Sequence, residues 1–185
     1  MAVLETNRVI LRPFTEADAA DVYAYCKDPR VGPVAGWKPH ESVEESREII
    51  RTVFSAPDVF AIVDKETGRV IGSAGFTAPH KAEACQGHTA EIGYALSPEY
   101  WGRGLMPETA AELLRYGFQE AGFDEIWATH YRENRQSKRV IEKCGFLYAF
   151  TENLSDAFYS DRPTCFYFLT RAAWEKRGQG EWTAT

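Results

Sequence analysis

Gly93-Tyr94-Ala95-Leu96-Ser97-Pro98-Glu99-Tyr100-Trp101-Gly102-Arg103-Gly104-Leu105-Met106-Pro107 is the stretch on which the fold of this chain turns. Residues 88–96 have the composition of a strand. Leu105, Ala110, Leu113, Leu114, Phe118 and Ala121 recur at helical spacing, with Gly122 as a stop. Between strand and helix, two glycines at spacing two admit backbone angles that other residues resist and leave room for a ligand beside the main chain. The helix N-terminus aims unpaired N–H groups and a partial positive charge at the same place. Together they form an anion cradle suited to phosphate or pyrophosphate. Pro107 falls at an early helical position, where its missing N–H matters least. A dinucleotide fingerprint would place a third glycine where Pro107 stands, and a P-loop would need Gly-Lys-Ser/Thr, which is absent. Alone, the turn fits a tight strand-to-helix connection as well as a ligand site.

Working outward, residues 9–14 predict a first strand stopped by Pro13, and Thr15 with Asp18 offers an N-cap for a helix to about Cys26. Residues 27–41 carry Pro29, Gly32, Pro33, Gly36 and Pro39 and predict a loop; residues 42–54 predict a second, more polar helix. Residues 59–64 and 70–76 predict a hairpin, with Gly68 available for a left-handed turn position. Residues 125–130 return as a strand, 134–144 as a helix, and 146–150 and 165–170 as closing strands. Strands and helices interleave without repeat or linker, which predicts one α/β domain.

Composition bounds the function. The 185 residues suit one domain, and 44% hydrophobic residues, with five Trp and eleven Phe, can fill a packed core. A net charge of −6 argues against nucleic acid as the main partner. No segment approaches the roughly 20 apolar residues of a membrane span, and the opening Met-Ala-Val-Leu-Glu-Thr-Asn-Arg lacks a signal peptide's apolar stretch. Cys26, Cys85, Cys144 and Cys165 form neither a CxxC pair nor a metal-like cluster with the histidines. The expectation is a cytoplasmic protein with reduced thiols.

A second segment gives the glycine turn its meaning. Asn134-Arg135-Gln136-Ser137 opens a helix that ends in Glu142-Lys143-Cys144-Gly145-Phe146. The run from Gly93 to Gly104 resembles the acetyl-coenzyme A pyrophosphate motif of the GNAT N-acetyltransferases, and Asn134-x-x-Ser137 with Glu142-Lys143-x-Gly145-Phe146 resembles that family's next motif. Arg8-Val9-Ile10-Leu11-Arg12-Pro13-Phe14, with Tyr167-Phe168-Leu169-Thr170 and Trp174, resembles the start and end of the RimJ/RimL-like branch, the ribosomal-protein alanine acetyltransferases. The resemblance covers residues 5–175, leaving 176–185 as a C-terminal tail. It implies an α/β (α+β) domain whose mixed central sheet holds a splayed strand pair flanked by helices.

The resemblance also implies roles. The backbone of Ala95 and Leu96 would hold the pantetheine arm; the amides of Arg103, Gly104 and Met106 would bind the pyrophosphate; Trp101, Gly102 and Leu105 would line the turn. Asn134 would contact the arm and Ser137 would lie near the sulfur. Met106 stands where the family has Gly or Ala, and Pro107 offers no amide. Many members carry an acidic tyrosine seven residues after the asparagine, where this chain has Ile141; Ser137 or a water would then assist the leaving thiolate, or it would leave unaided. Glu91 is the expected base and His130 a second candidate. Trp37, His40 and Tyr159 fall in the loops expected to bind an acceptor amine, although Trp37 would equally plug the core. The implied reaction is acetyl transfer from acetyl-CoA to a small-molecule or peptide amine, without a metal, nucleic acid or membrane, in a homodimer. A non-catalytic coenzyme A-binding module would share the glycine turn and have no use for Glu91 or Ser137.

Overall fold

The computed structural model of the chain describes residues 2–155 and 158–178. β1 (Leu4–Glu5) pairs antiparallel with β2 (Val9–Arg12), which buries Val9 and Leu11 and stops at Pro13, where a ladder N–H is missing. The Asp18 carboxylate accepts the Thr15 amide at 2.8 Å and closes the turn into α1 (Ala19–Cys26). The predicted loop 27–41 contains one helical turn, α2 (Gly32–Ala35), with Pro33 as its second residue and Gly36 ending it at φ 92°. α3 (Val43–Thr52) starts at Ser42, whose hydroxyl accepts the Glu45 amide at 3.1 Å.

β3 (Val59–Asp64) and β4 (Val70–Thr77) form the predicted hairpin, with Gly68 at φ 70°. β5 (Thr89–Leu96), α4 (Leu105–Gln119), β6 (Glu125–Tyr131) and α5 (Arg135–Lys143) follow in the expected order. β7 (Leu147–Leu154) and β8 (Arg162–Thr170) are longer than predicted. Their added residues include Thr151, Glu152 and Asn153 on an edge strand, where solvent exposure removes the hydrophobic alternation that marks a strand in sequence. A final helix, α6 (Arg171–Gly178), sets Trp174 against Phe118 with ring centroids 5.3 Å apart. The expected boundary after residue 175 therefore falls inside a helix, and residues 179–185 of the expected tail lie outside the described residues. Among the described residues no helix is long and apolar enough to cross a membrane.

The strands make one sheet in the order β1-β2-β3-β4-β5-β6-β8-β7, with every neighbouring pair antiparallel except β5 and β6. Parallel neighbours need a crossover, and α4 supplies it. Side chains alternate between two cores. Phe60 and Ile62 of β3 face the side covered by α4 and α5, with Leu113, Leu114, Phe118 and Ile141; Ala61 and Val63 face Val22, Tyr25 and Ile50 of α1 and α3. Each such large side chain stabilises the fold by about 1.5–3 kcal/mol on burial. One discontinuity matters most. Residues 89–92 pair with 125–128 and the ladder then ends, while β5 continues along β4 to Leu96 and β6 along β8 to Tyr131. The mixed sheet thus contains the splayed strand pair, in one α/β domain flanked by helices.

Candidate active site

A cavity of about 530 Å³ opens where β5 and β6 separate, lined by Gly93, Tyr94, Ala95 and Leu96 on one side and Thr129 and His130 on the other. The Ser97 amide donates to the Ile71 carbonyl at 2.8 Å, which sets the hydrogen-bond alternation along β5. By that register Ala95 exchanges its backbone bonds with Ser73, and the main-chain groups of Tyr94 and Leu96 point into the gap. Of the expected backbone pair, only Leu96 is so directed; Ala95 lines the cavity with its side chain packed toward the α1–α3 core. The Leu96 carbonyl already accepts the Trp101 indole N–H at 2.8 Å, which leaves its amide for the gap. Trp101 thus braces the turn and lines the cavity.

Gly102 and Gly104 both lie in the left-handed region, at φ 74° and 76°. Gly104 caps α4, so the amides of the first helical turn, Leu105 and Met106 among them, have no partner within the helix. Leu105 and Met106 are buried in the core that α4 covers, and both also line the cavity. Pro107 contributes no donor. Arg103 lays its guanidinium 4.9 Å from the centre of the Tyr100 ring. A clasp on the outer side holds this turn: Arg8 donates from Nη1 to the Arg103 carbonyl at 2.8 Å and from Nε to Glu108 at 2.7 Å, and Thr6 donates to the same carboxylate at 2.6 Å. Burial alone would push the Glu108 carboxyl up, but the bonds from Thr6 and Arg8 outweigh it and hold it below the usual range. Paired in this way, Glu108 opposes an incoming phosphate less than a lone carboxylate would.

Asn134 caps α5: its Oδ1 accepts the Ser137 amide at 3.0 Å, and its Nδ2 donates to the Val34 carbonyl at 3.2 Å. Its side chain therefore ties α5 to α2 at the cavity wall. Ser137 places its hydroxyl 3.0 Å from the Tyr94 hydroxyl. Ile141 is 1% exposed and points into the core, away from the cavity. Arg139 and Lys143, one helical turn apart on α5, line the cavity and add positive charge to its wall. Sequence reasoning had not singled them out, although their i, i+4 spacing on one short basic helix was available.

On the opposite face of the sheet Glu91 is 4% exposed and fully engaged. Its carboxylate accepts the His80 amide at 2.9 Å and the Thr129 hydroxyl at 2.7 Å, and His80 Nδ1 lies 2.8 Å away. An ionised carboxylate only accepts, so Nδ1 carries the proton and the lone pair of a neutral ring sits on Nε2. His80 and Thr129 line the cavity beside Glu91. His130 is tied differently: Nδ1 lies 2.7 Å from the Tyr131 carbonyl and Nε2 3.3 Å from the Tyr167 hydroxyl, with burial holding its pKa below 6.5.

The three residues expected to meet the acceptor lie elsewhere. Trp37 packs on Gly32 and the α1–α3 core, where a Cβ at Gly32 would come within 2.7 Å of its ring. His40 is buried with Nδ1 2.9 Å from Ser46 Oγ. Tyr159 flanks the Arg162 guanidinium, which also stacks on Tyr131 at 3.7 Å. None of the three lines the cavity; Val31, Val34 and Ala35 of the α2 segment do. Arg162 donates to the Pro33 carbonyl of α2 at 2.6 Å.

Comparison with known proteins follows the same outline. The family model described as an acetyltransferase (GNAT) domain matches residues 8–147. The uncharacterized N-acetyltransferase YoaA of Bacillus subtilis (strain 168) is 32% identical over 149 residues, covering 78% of this chain and 82% of the relative. The acetyltransferase (GNAT family) from Bacillus anthracis superposes with a TM-score of 0.81 at 24% identity, over 92% of this chain and 99% of that one. The ribosomal-protein-S5-alanine acetyltransferase from Vibrio fischeri shares the fold with a TM-score of 0.74 at 19% identity, over 94% and 99% of the two chains.

Proposed function

This chain belongs to the GNAT acetyltransferase family, and from that premise we propose that it moves the acetyl group of acetyl-CoA onto a primary amine, at a protein N-terminus or on a small molecule, by direct attack in a ternary complex. Acetyl-CoA supplies the activated acyl group; the chain's own residues hold, aim and deprotonate. The observation that carries this reading is the parting of β5 from β6 beside two left-handed glycines at a helix N-terminus. Amides of the 103–106 turn would take the diphosphate, with Arg139 and Lys143 adding charge, and the Leu96 amide would fix the arm in the gap. Such positioning is worth up to ~7–11 kcal/mol of the barrier in favourable cases.

On the acceptor side, the ammonium proton passes to the Glu91–His80 pair. An α-amine, with a pKa near 7.7–8.0, is about one-tenth neutral at pH 7, so a proton acceptor raises the reactive fraction. On the other face Ser137 adjoins the leaving sulfur. The 8–14 and 167–174 motifs support the RimJ/RimL-like branch as the narrower reading, with a cytoplasmic homodimer as its setting. The test is an acceptor screen with acetyl-CoA, following free thiol across N-terminal peptides, polyamines, aminoglycosides and amino acids. Thiol release above the acceptor-free rate with one amine class is the expected result. Tight coenzyme binding with no release across the screen would instead favour a non-catalytic coenzyme A-binding module.

A further inference from the structure

Tyr94 stands on β5 between Gly93 and Ala95, so its side chain takes the α4–α5 face of the sheet while Glu91 takes the other. Its hydroxyl lies 3.0 Å from Ser137 Oγ and 3.3 Å from the Ser137 carbonyl oxygen, and both residues line the cavity between the parted strands. Each hydroxyl has one hydrogen to give. The Ser137 hydrogen can serve the bond between them, and the Tyr94 hydrogen, which the Ser137 carbonyl accepts over a long 3.3 Å, can turn to a negative charge that develops in the cavity. One helical turn beyond Ser137, Ile141 is buried in the core and offers no hydrogen at all. The two hydroxyls are therefore a bonded pair of neutral donors that β5 and α5 jointly present to the gap, beside the Gln136 amide on α5.

We propose that Tyr94, with Ser137 as its partner hydroxyl, is the hydrogen-bond donor to the leaving thiolate, in place of an acid at position 141. The assignment rests on the reading of the cavity as the thioester site. In the step it serves, the amine nitrogen bonds to the acyl carbon, the C–S bond breaks and sulfur keeps the electron pair. The proton lost by nitrogen goes to the Glu91–His80 side, on the opposite face. Burial pushes the Tyr94 hydroxyl up, the bond with Ser137 offsetting only part, so it stays protonated at neutral pH. A phenol held that way is a weaker acid than a thiol with its usual pKa near 8.5. Tyr94 therefore stabilises the thiolate through a charge-assisted bond and keeps its proton.

The experiment needs no acceptor. Coenzyme A bound to the full chain is titrated with base, following thiolate absorbance in the ultraviolet, for wild type, Tyr94→Phe and Ser137→Ala. Binding of desulfo-coenzyme A is measured in parallel. In wild type the bound thiol titrates below free coenzyme A. In Tyr94→Phe it rises by about one unit, with desulfo-coenzyme affinity within about twofold of wild type, which a merely structural role for the phenol would not produce. Ser137→Ala, on the first turn of α5, raises the titration too and keeps the test open if Tyr94→Phe does not fold. The same thiol titration in wild type and in every variant that folds overturns the assignment and leaves the coenzyme site standing. Failure of wild type to bind coenzyme A removes the reading beneath it.

Discussion

Glu91 illustrates what one residue's chemistry reveals and hides. Its place two residues before Gly93 made it visible as a candidate base, but nothing in the chain order announces that His80 and Thr129, 11 and 38 residues away, converge on its carboxylate. The same is true of Tyr94 and Ser137, which are 43 residues apart. Such pairs exist only once sheet register brings their elements together, and register has no local signature. Trp37 and His40 show the opposite: an aromatic ring and an imidazole suit an amine and a small core equally, and the fold packs Trp37 on Gly32 and His40 against Ser46, outside the cavity lining. At this scale the expectation concerns Glu91→Gln. It keeps the shape and loses the charge that orients His80, so turnover with the best acceptor falls roughly 10²–10⁴-fold while acetyl-CoA affinity stays within about twofold. Steady-state kinetics beside calorimetry checks this; undiminished turnover would remove Glu91 from the reaction.

Elements were far easier to foresee than contacts. The glycine turn, its helix and the capped start of α5 announce themselves because each rests on a local rule: positive φ at glycine, apolar spacing, an Asn side chain reaching a first-turn amide. What escaped were the short β1, the α2 turn inside a proline-rich loop, the polar reaches of β7 and β8, and α6, where pattern is weak and tertiary pairing does the ordering. The prediction proper to this scale is Gly104→Ala. At φ 76° the added methyl is strained whatever the space around it, which costs on the order of 1 kcal/mol. A fall of about 2–4 °C in melting temperature follows for a domain of this size, together with at least tenfold weaker acetyl-CoA binding as the first-turn amides shift. Calorimetry and thermal denaturation report both; wild-type affinity would mean that these amides do not carry the diphosphate.

Across the whole molecule, Glu91 and His80 stand on the α1–α3 side of the sheet and Tyr94 and Ser137 on the α4–α5 side, with the opening between β5 and β6 joining them, so the proposed reaction would divide its labour between the two faces. Stability should also follow from what the two cores bury. Burial holds the His40 and His130 imidazoles below 6.5. The unfolded chain then takes up protons before the folded one does, so their contribution is present above about pH 6.5 and is lost as pH falls through their lower folded values. Asp18 and Glu108, held below 3.8 and 4.5, give way only at still lower pH. The urea midpoint is expected to hold from pH 7.5 to 6.5 and to decline below that, and a midpoint that rose on acidification would contradict the assignment of neutral buried imidazoles. The most direct measurement of all is a crystal structure of the chain with coenzyme A. It should show the diphosphate on the main-chain amides between Arg103 and Met106 and the arm threaded between β5 and β6, its sulfur near Ser137 and Tyr94. Those amides engaged within the protein, with the ligand bound elsewhere and the two strands closed together, would contradict the account at its root.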